Sequence, residues 1–154
     1  SVIQAPVTGD LWHAQRGVGA FRRDGNSDAR LQSRRPALAP LHVAASRSHR
    51  DARTDAFIAR MGEVELVGLG SSLKFCRLAD GSIDAYPRFG PTSEWDTAAG
   101  QCILEAAGGI VVDPKGRPLR YNQRDTLLNG DFLALGDADL PWKDWMSERA
   151  QHMP

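Results

Sequence analysis

From Leu41 onward the chain alternates short apolar strands with helical patterns of about 10 residues, and that alternation confines it to a layered α/β arrangement with helices covering a sheet. "LHVAAS" (41–46), "VELVG" (64–68), "SIDAYP" (82–87), "GIVVD" (109–113) and "DFLALGD" (131–137) predict strands. "RDARTDAFIARMG" (50–62), "SSLKFCRLADG" (71–81), "DTAAGQCILEAAGG" (96–109) and "LPWKDWMSERAQ" (140–151) predict helices. Phe57, Ile58 and Met61 share one face of the first helix, and Gly62 suits its C-terminal cap. The second helix buries Leu73, Cys76 and Leu78 and ends at Gly81, while the last turns Trp142, Trp145 and Met146 inward. "PLRYN" (118–122) is expected to pair with "GIVVD" around the turn "DPKG".

The first 25 residues do not join that alternation. "VIQA", "LWHA" and "GVGAFRR" predict three short strands of a separate, antiparallel sheet. Residues 24–40 are polar, arginine-rich and bracketed by prolines, which predicts a surface connection.

A chain of 154 residues suits one ordinary domain with a sizeable core. Lys+Arg and Asp+Glu each total 19, so no overall basic character points to a nucleic-acid polymer, and any anion site has to be local. Cys76 and Cys102 are not spaced as a metal knuckle or a redox pair. Each lies in an apolar helical pattern and is expected to be a reduced core thiol, in keeping with a cytoplasmic location. No apolar run approaches the ~20 residues of a membrane span.

In α/β sheets ligands gather at the carboxyl ends of strands, where helix N-termini present free amides. Three such junctions are polar. "SRSHR" (46–50) brings two hydroxyls, two guanidiniums and an imidazole to a helix start, which suits a phosphate group; equally, Ser48 could only cap the helix. "GLGSSLK" (68–74) offers glycines for close backbone approach, the hydroxyls of Ser71 and Ser72, and the charge of Lys74. It is neither a Walker pattern nor a dinucleotide fingerprint. The third junction is Asp96, before Thr97-Ala98-Ala99. Its position is a good N-cap, and a carboxylate there could also bind a hard cation such as Mg²⁺. Asp84 and Glu94 are candidate helpers with no evident geometric reason to converge on it.

"EWDTAAGQCILEAAGG" (94–109) resembles the second signature of the inositol monophosphatase superfamily, Trp-Asp-x-Ala-Ala-Gly followed by a helix ending in Gly-Gly. "GDLWHAQRGVGAF" (9–21) is similar to the segment that precedes the family's second domain. "SRSH", "VGLGSSLKFCRLADG" and "DAYPRFGPTSEWD" resemble the CysQ-type branch, the 3'(2'),5'-bisphosphate nucleotidases. The resemblance implies an αβαβα layered fold. Residues 1–25 would be the terminal strands of an N-terminal α+β domain, 26–40 the connection and 41–154 the C-terminal αβα half. It also implies Mg²⁺-dependent removal of the 3'-phosphate from adenosine 3',5'-bisphosphate, and a cytoplasmic enzyme that can sit peripherally at the inner membrane. By that resemblance Asp96 is the C-terminal metal-ligating aspartate. Ser48 and His49 lie near the adenosine or its ribose phosphate, Ser71, Ser72 and Lys74 embrace the nucleotide, and Arg88 contacts a phosphate.

The family's earlier glutamate motif and its Asp-Pro-x-Asp-Gly-Thr motif are missing, and "VDPKG" (112–116) shares only Asp-Pro with the latter. The expectation is therefore a piece whose partner is the N-terminal half of the same protein. Alone it should bind Mg²⁺ poorly and turn over no substrate, and the open edge of its first strands should lead to aggregation, to self-association as a homo-oligomer, or to a retained N-terminal fragment. The competing readings are a non-catalytic nucleotide-binding or assembly fragment, and an inositol or fructose bisphosphate phosphatase.

Overall fold

The structure is a computed structural model that describes residues 1–45 and 51–147. Its first sheet is an antiparallel meander of β1 (Val2–Gln4), β2 (Leu11–Gln15), β3 (Gly19–Asp24) and β4 (Ser27–Arg30), in that spatial order. Alternation sets which face is buried: Trp12 and Ala14 of β2 point inward, while Leu11 and His13 lie half-buried on the other face. The Arg22 guanidinium sits 5.8 Å from the centroid of the Trp12 ring and donates to Asp10 at 2.5 Å.

The rest of the chain runs β5 (Leu41–Ala45), α1 (Ala52–Ala59), β6 (Val64–Gly68), α2 (Leu73–Ala79), β7 (Ala85–Arg88), β8 (Thr92–Ser93), α3 (Glu94–Ala106), β9 (Ile110–Val112), β10 (Leu128–Asn129), β11 (Phe132–Leu135) and α4 (Trp142–Met146). Five of these strands make the second sheet, in the order β6-β5-β7-β11-β9. β5 is parallel to β6 and β7, and β11 is antiparallel to β7 and β9. Both faces of this sheet are covered, so its central strands are continuously apolar. Phe132 and Ala134 of β11 pack with Phe75, Leu78 and Leu104 from α2 and α3. Leu133 and Leu135 pack on the opposite face with Phe57, Ile58, Trp142 and Trp145 from α1 and α4.

α2 and α3 are buried on both sides. Toward the first sheet, Cys76, Ala79, Ile103 and Ala107 meet Trp12, Ala14 and Ala20. The layers are therefore sheet, helix pair, sheet, helix pair. Burial pushes the Cys76 thiol up to about 12, so it is an inert core group as expected; Cys102 is half-buried. Gly81, predicted to end α2, follows the C-cap Asp80 with φ +77°, a conformation that favours glycine. Asp51 caps α1 by accepting from the Thr54 N–H at 2.8 Å.

Four expectations change. Residues 24–40 are not merely a surface connection: Ser27–Arg30 pair with β3 as β4, and Ser33 is buried, donating from its hydroxyl to the Gly136 carbonyl at 2.6 Å. Arg34 reaches the wholly buried carboxylate of Asp84, donating from Nε at 2.7 Å and from Nη2, and the His42 N–H donates to the same carboxylate at 2.7 Å. A polar segment thus holds the start of β7, inside the second sheet, through a partner 50 residues away, which local composition cannot reveal. "PLRYN" forms only an isolated bridge, Val112 to Pro118, although the turn "DPKG" is present with Gly116 N–H on the Asp113 carbonyl at 2.9 Å. The strand predicted over 82–87 is displaced to Ala85–Arg88, and the helix predicted from Asp96 begins at Glu94.

Gly100 lets α2 and α3 touch. A Cβ there would lie 2.4 Å from Cδ2 and 2.8 Å from Cβ of Phe75. Gly100→Ala should lower the unfolding free energy by about 1–3 kcal/mol through overpacking, read as a lower urea midpoint. An unchanged midpoint would mean that the helix pair can separate without cost.

Candidate active site

The carboxyl ends of β6 and β7 and the starts of α2 and α3 enclose a cavity of about 340 Å³. Its walls include Ser71, Ser72, Lys74, Tyr86, Arg88, Thr92, Asp96 and Thr97. Five of the seven residues singled out from sequence, Ser71, Ser72, Lys74, Arg88 and Asp96, therefore line one space. Ser48 and His49 lie outside the described residues.

Asp96 is not the N-cap that the sequence suggests. Ser93 is, and Asp96 occupies the third helical position, completing a capping box. Its Oδ2 accepts from the Ser93 N–H at 2.9 Å, which leaves Oδ1 without a hydrogen-bond partner among the described residues. The helix begins two residues early because β8 and β10 pair there, Leu128 with Ser93 and Asn129 with Thr92, and the Glu94 N–H donates to the Leu127 carbonyl at 2.8 Å. Buried Asn129 donates from Nδ2 toward Thr97 Oγ1, Ser93 O and Thr92 Oγ1 at 2.9, 3.0 and 3.1 Å. The first turn of α3 is thus clamped from one side by a two-residue ribbon that sequence reading missed.

Neither candidate helper of Asp96 helps it. Glu94 is buried and turned away; its carboxylate accepts from the Asn122 N–H at 2.8 Å and pairs with Arg124 at 3.2 Å. Asp84 is held by Arg34 and the His42 amide. No group of three His, Cys, Asp or Glu side chains able to hold a metal occurs among the described residues. Asp96 alone can offer one carboxylate oxygen to a hard cation. That is one position of the shell Mg²⁺ takes, since it keeps several waters and binds substrate phosphate.

Across the cavity the electrostatics are positive. Lys74 is buried, with its Nζ 4.8 Å from the Tyr86 ring centroid and, among the described residues, only the Ser71 carbonyl, at 3.5 Å, as a polar contact. Burial, and secondarily Arg88, lowers its pKa from the ordinary 10.5. Arg88 donates from Nη2 to the Pro91 carbonyl at 3.0 Å, and its buried Nε has no partner among the described residues. The Ser72 hydroxyl donates to the Asp96 carbonyl at 3.1 Å, tying the two helix starts together instead of capping its own helix. Ser71 sits at φ +50°, a left-handed conformation uncommon outside glycine and found preferentially at ligand-binding turns.

Tyr86 also lines the cavity, and sequence reading passed over it. A signal was available: on β7 it stands two residues before Arg88, hence on the same face. A larger cavity of about 700 Å³ lies along residues 113–131, but its acids Asp113 and Asp131 are paired with Arg117 and Arg53, and it contains none of the strand-to-helix junctions.

A model of the inositol monophosphatase family matches residues 1–147. The 3'(2'),5'-bisphosphate nucleotidase CysQ of Escherichia coli (strain K12) is 43% identical over 131 residues, 85% of this chain and 52% of that protein. The CysQ of the same description from Haemophilus influenzae is 32% identical over 145 residues, 93% of this chain and 54% of that protein. Among solved structures, CysQ from Bacteroides thetaiotaomicron, described as a bacterial member of the inositol monophosphatase family, is 38% identical with a TM-score of 0.73, covering 87% of this chain and 56% of that one. The chain spans about half the length of the curated relatives it matches.

The capping role of Asp96 is separable from metal binding. In the presence of a chelator, Asp96→Ala should cost about 1 kcal/mol of stability, the usual value of a lost capping interaction. Asp96→Asn, which keeps an acceptor oxygen, should cost clearly less. Chemical denaturation of both variants checks this.

Proposed function

The chain belongs to the inositol monophosphatase family, and from that premise we propose that it forms the nucleotide-holding side of a Mg²⁺-dependent phosphatase that removes the 3'-phosphate of adenosine 3',5'-bisphosphate and leaves AMP. The relatives named 3'(2'),5'-bisphosphate nucleotidase support the substrate class. The observation that carries the reading is the pairing, within one cavity, of two under-coordinated cations with one half-engaged carboxylate.

Lys74 is desolvated and forms no ion pair among the described residues, so a phosphate entering the cavity restores what burial took away. The free Nε of Arg88 adds a directional donor, since a guanidinium suits phosphate oxygens. Asp96 would repel that phosphate unless a cation stood between them, and its free oxygen fits one ligand position of such a cation. The metal would supply activation of the attacking water and neutralisation of charge at the transferred phosphate. The residues of this chain orient the ester and fix the direction of one carboxylate.

A second reading, nucleotide binding without hydrolysis, is favoured by the cavity lining, in which Asp96 is the one acid among the described residues. Calorimetry with AMP, without and with Mg²⁺, alongside phosphate release from adenosine 3',5'-bisphosphate, separates the two. This chain alone should release no phosphate; release in Mg²⁺ by the chain joined to the N-terminal half of the protein, lost in Asp96→Ala, supports the phosphatase. Metal-independent AMP binding with no release supports the second reading, and no AMP binding under either condition defeats both.

The affinity should also depend on pH in a definite direction. Lys74 holds phosphate only when protonated, and its pKa is lowered, so AMP binding should weaken as pH rises through a window below the ordinary lysine value of 10.5. Lys74→Arg stays charged over that range and should flatten this limb. Lys74→Met should weaken binding by about tenfold or more at neutral pH, as expected for a lost hydrogen bond to a charged group.

A further inference from the structure

Tyr86 is 7% exposed, yet its hydroxyl makes no hydrogen bond among the described residues. The ring is fully explained by packing. It meets Phe75 at 5.6 Å and 76° and Phe132 at 5.4 Å and 89°, both edge-on, and its face receives Lys74 Nζ. A phenylalanine would make all of these contacts. The oxygen makes no hydrogen bond among the described residues, and it is not one of the fully buried unpartnered polar atoms, so it opens to the cavity, where a ligand can accept its hydrogen. That oxygen belongs to a side chain lining the cavity, on the same face of β7 as Arg88.

We propose that Tyr86 is a substrate-binding residue, whose phenol donates a hydrogen bond to a non-bridging oxygen of the phosphate held by Lys74 and Arg88. The inference rests on the nucleotide-binding reading above and adds to it a third, neutral donor. The three are chemically distinct. Lys74 supplies a charge that stands over the Tyr86 ring. Arg88 supplies a fork anchored at one end by the Pro91 carbonyl. Tyr86 supplies a single hydrogen from a side chain that packing prevents from turning away. Burial raises the pKa of this phenol above the ordinary 10.0, with Asp96 adding to the rise and Arg88 opposing it, so the group remains a donor where phosphate esters are dianionic.

The clean test is Tyr86→Phe, which removes one oxygen and keeps the ring. AMP is the probe, titrated by calorimetry into the chain in the presence of Mg²⁺, with urea denaturation run beside it. The wild-type chain should bind AMP, and Tyr86→Phe should bind about tenfold more weakly with an unchanged urea midpoint, as for a lost hydrogen bond to a charged acceptor. Repeating the substitution in Lys74→Met tests whether both groups act on one phosphate. The effect of Tyr86→Phe should then be smaller than in the wild-type background, because the phosphate is no longer held. Equal AMP affinity of wild type and Tyr86→Phe overturns the inference and leaves the nucleotide-binding reading standing. A lowered urea midpoint in Tyr86→Phe, or strictly additive effects with Lys74→Met, overturns it as well, since either means the oxygen does not act on the shared phosphate. A wild-type chain that binds no AMP overturns both the inference and the reading beneath it.

Discussion

Everything on the candidate site's side of the molecule depends on the close contact between α2 and α3. Each helix is buried on both flanks, against Trp12, Ala14 and Ala20 on one side and the second sheet on the other. A helix so enclosed cannot slide outward to relieve a clash, so its separation from its neighbour is set by the side chains between them. Gly100 facing the Phe75 ring brings the two backbones near, and the Ser72 hydroxyl on the Asp96 carbonyl joins their first residues. The result is that a serine loop, a buried lysine and an aspartate, distant in sequence, open on one cavity.

Two buried carboxylates govern how the surrounding segments attach. Asp84 holds Arg34 and the His42 amide; Glu94 holds Arg124 and the Asn122 amide. In both cases a buried acid near a strand or helix end receives an arginine from an irregular, polar segment, and each acid also accepts a backbone N–H. Buried ion pairs add little net stability, because desolvation offsets attraction, but breaking one leaves a buried charge unpaired. Their effect here is selective. They allow one docking of residues 31–35 and one of residues 119–124, and the second of these sets the ground on which the first turn of α3 rests.

This division explains what sequence reading could and could not recover. The helices that bury apolar residues were legible, because a period of 3.6 is written locally: Phe57 and Ile58 on α1 and Cys76 and Leu78 on α2 fall where the pattern put them. Lys74, Ser71, Ser72 and Asp96 were legible at their junctions, since polar groups at the carboxyl ends of neighbouring strands converge in such a sheet, whereas Arg88 was named only through the family resemblance. What was hidden was long-range and polar. Nothing near Arg34 announces Asp84, the β8–β10 ribbon is two residues long on each side, and Glu94 finds its arginine 30 positions on. Tyr86 was concealed for the opposite reason, because an aromatic in a strand is explained by packing alone until its oxygen is seen to lack a partner.

The shift of the α3 start by two residues alters what Asp96 can do. As an N-cap it would point its carboxylate along the helix axis into the first free amides, and both oxygens would be drawn toward the backbone. As the third residue of a capping box it reaches back to a single N–H with one oxygen, and the backbone beneath it is already helical and rigid. Capping then orients the second oxygen without consuming it. The helix N-terminus favours a negative side chain in its first turn, which suits a carboxylate at this position. Trp95, 69% exposed between the two acids, marks the divergence: Glu94 turns inward to Arg124, Asp96 turns to the cavity, and the helical step between them keeps two negative groups in one turn from sharing a site.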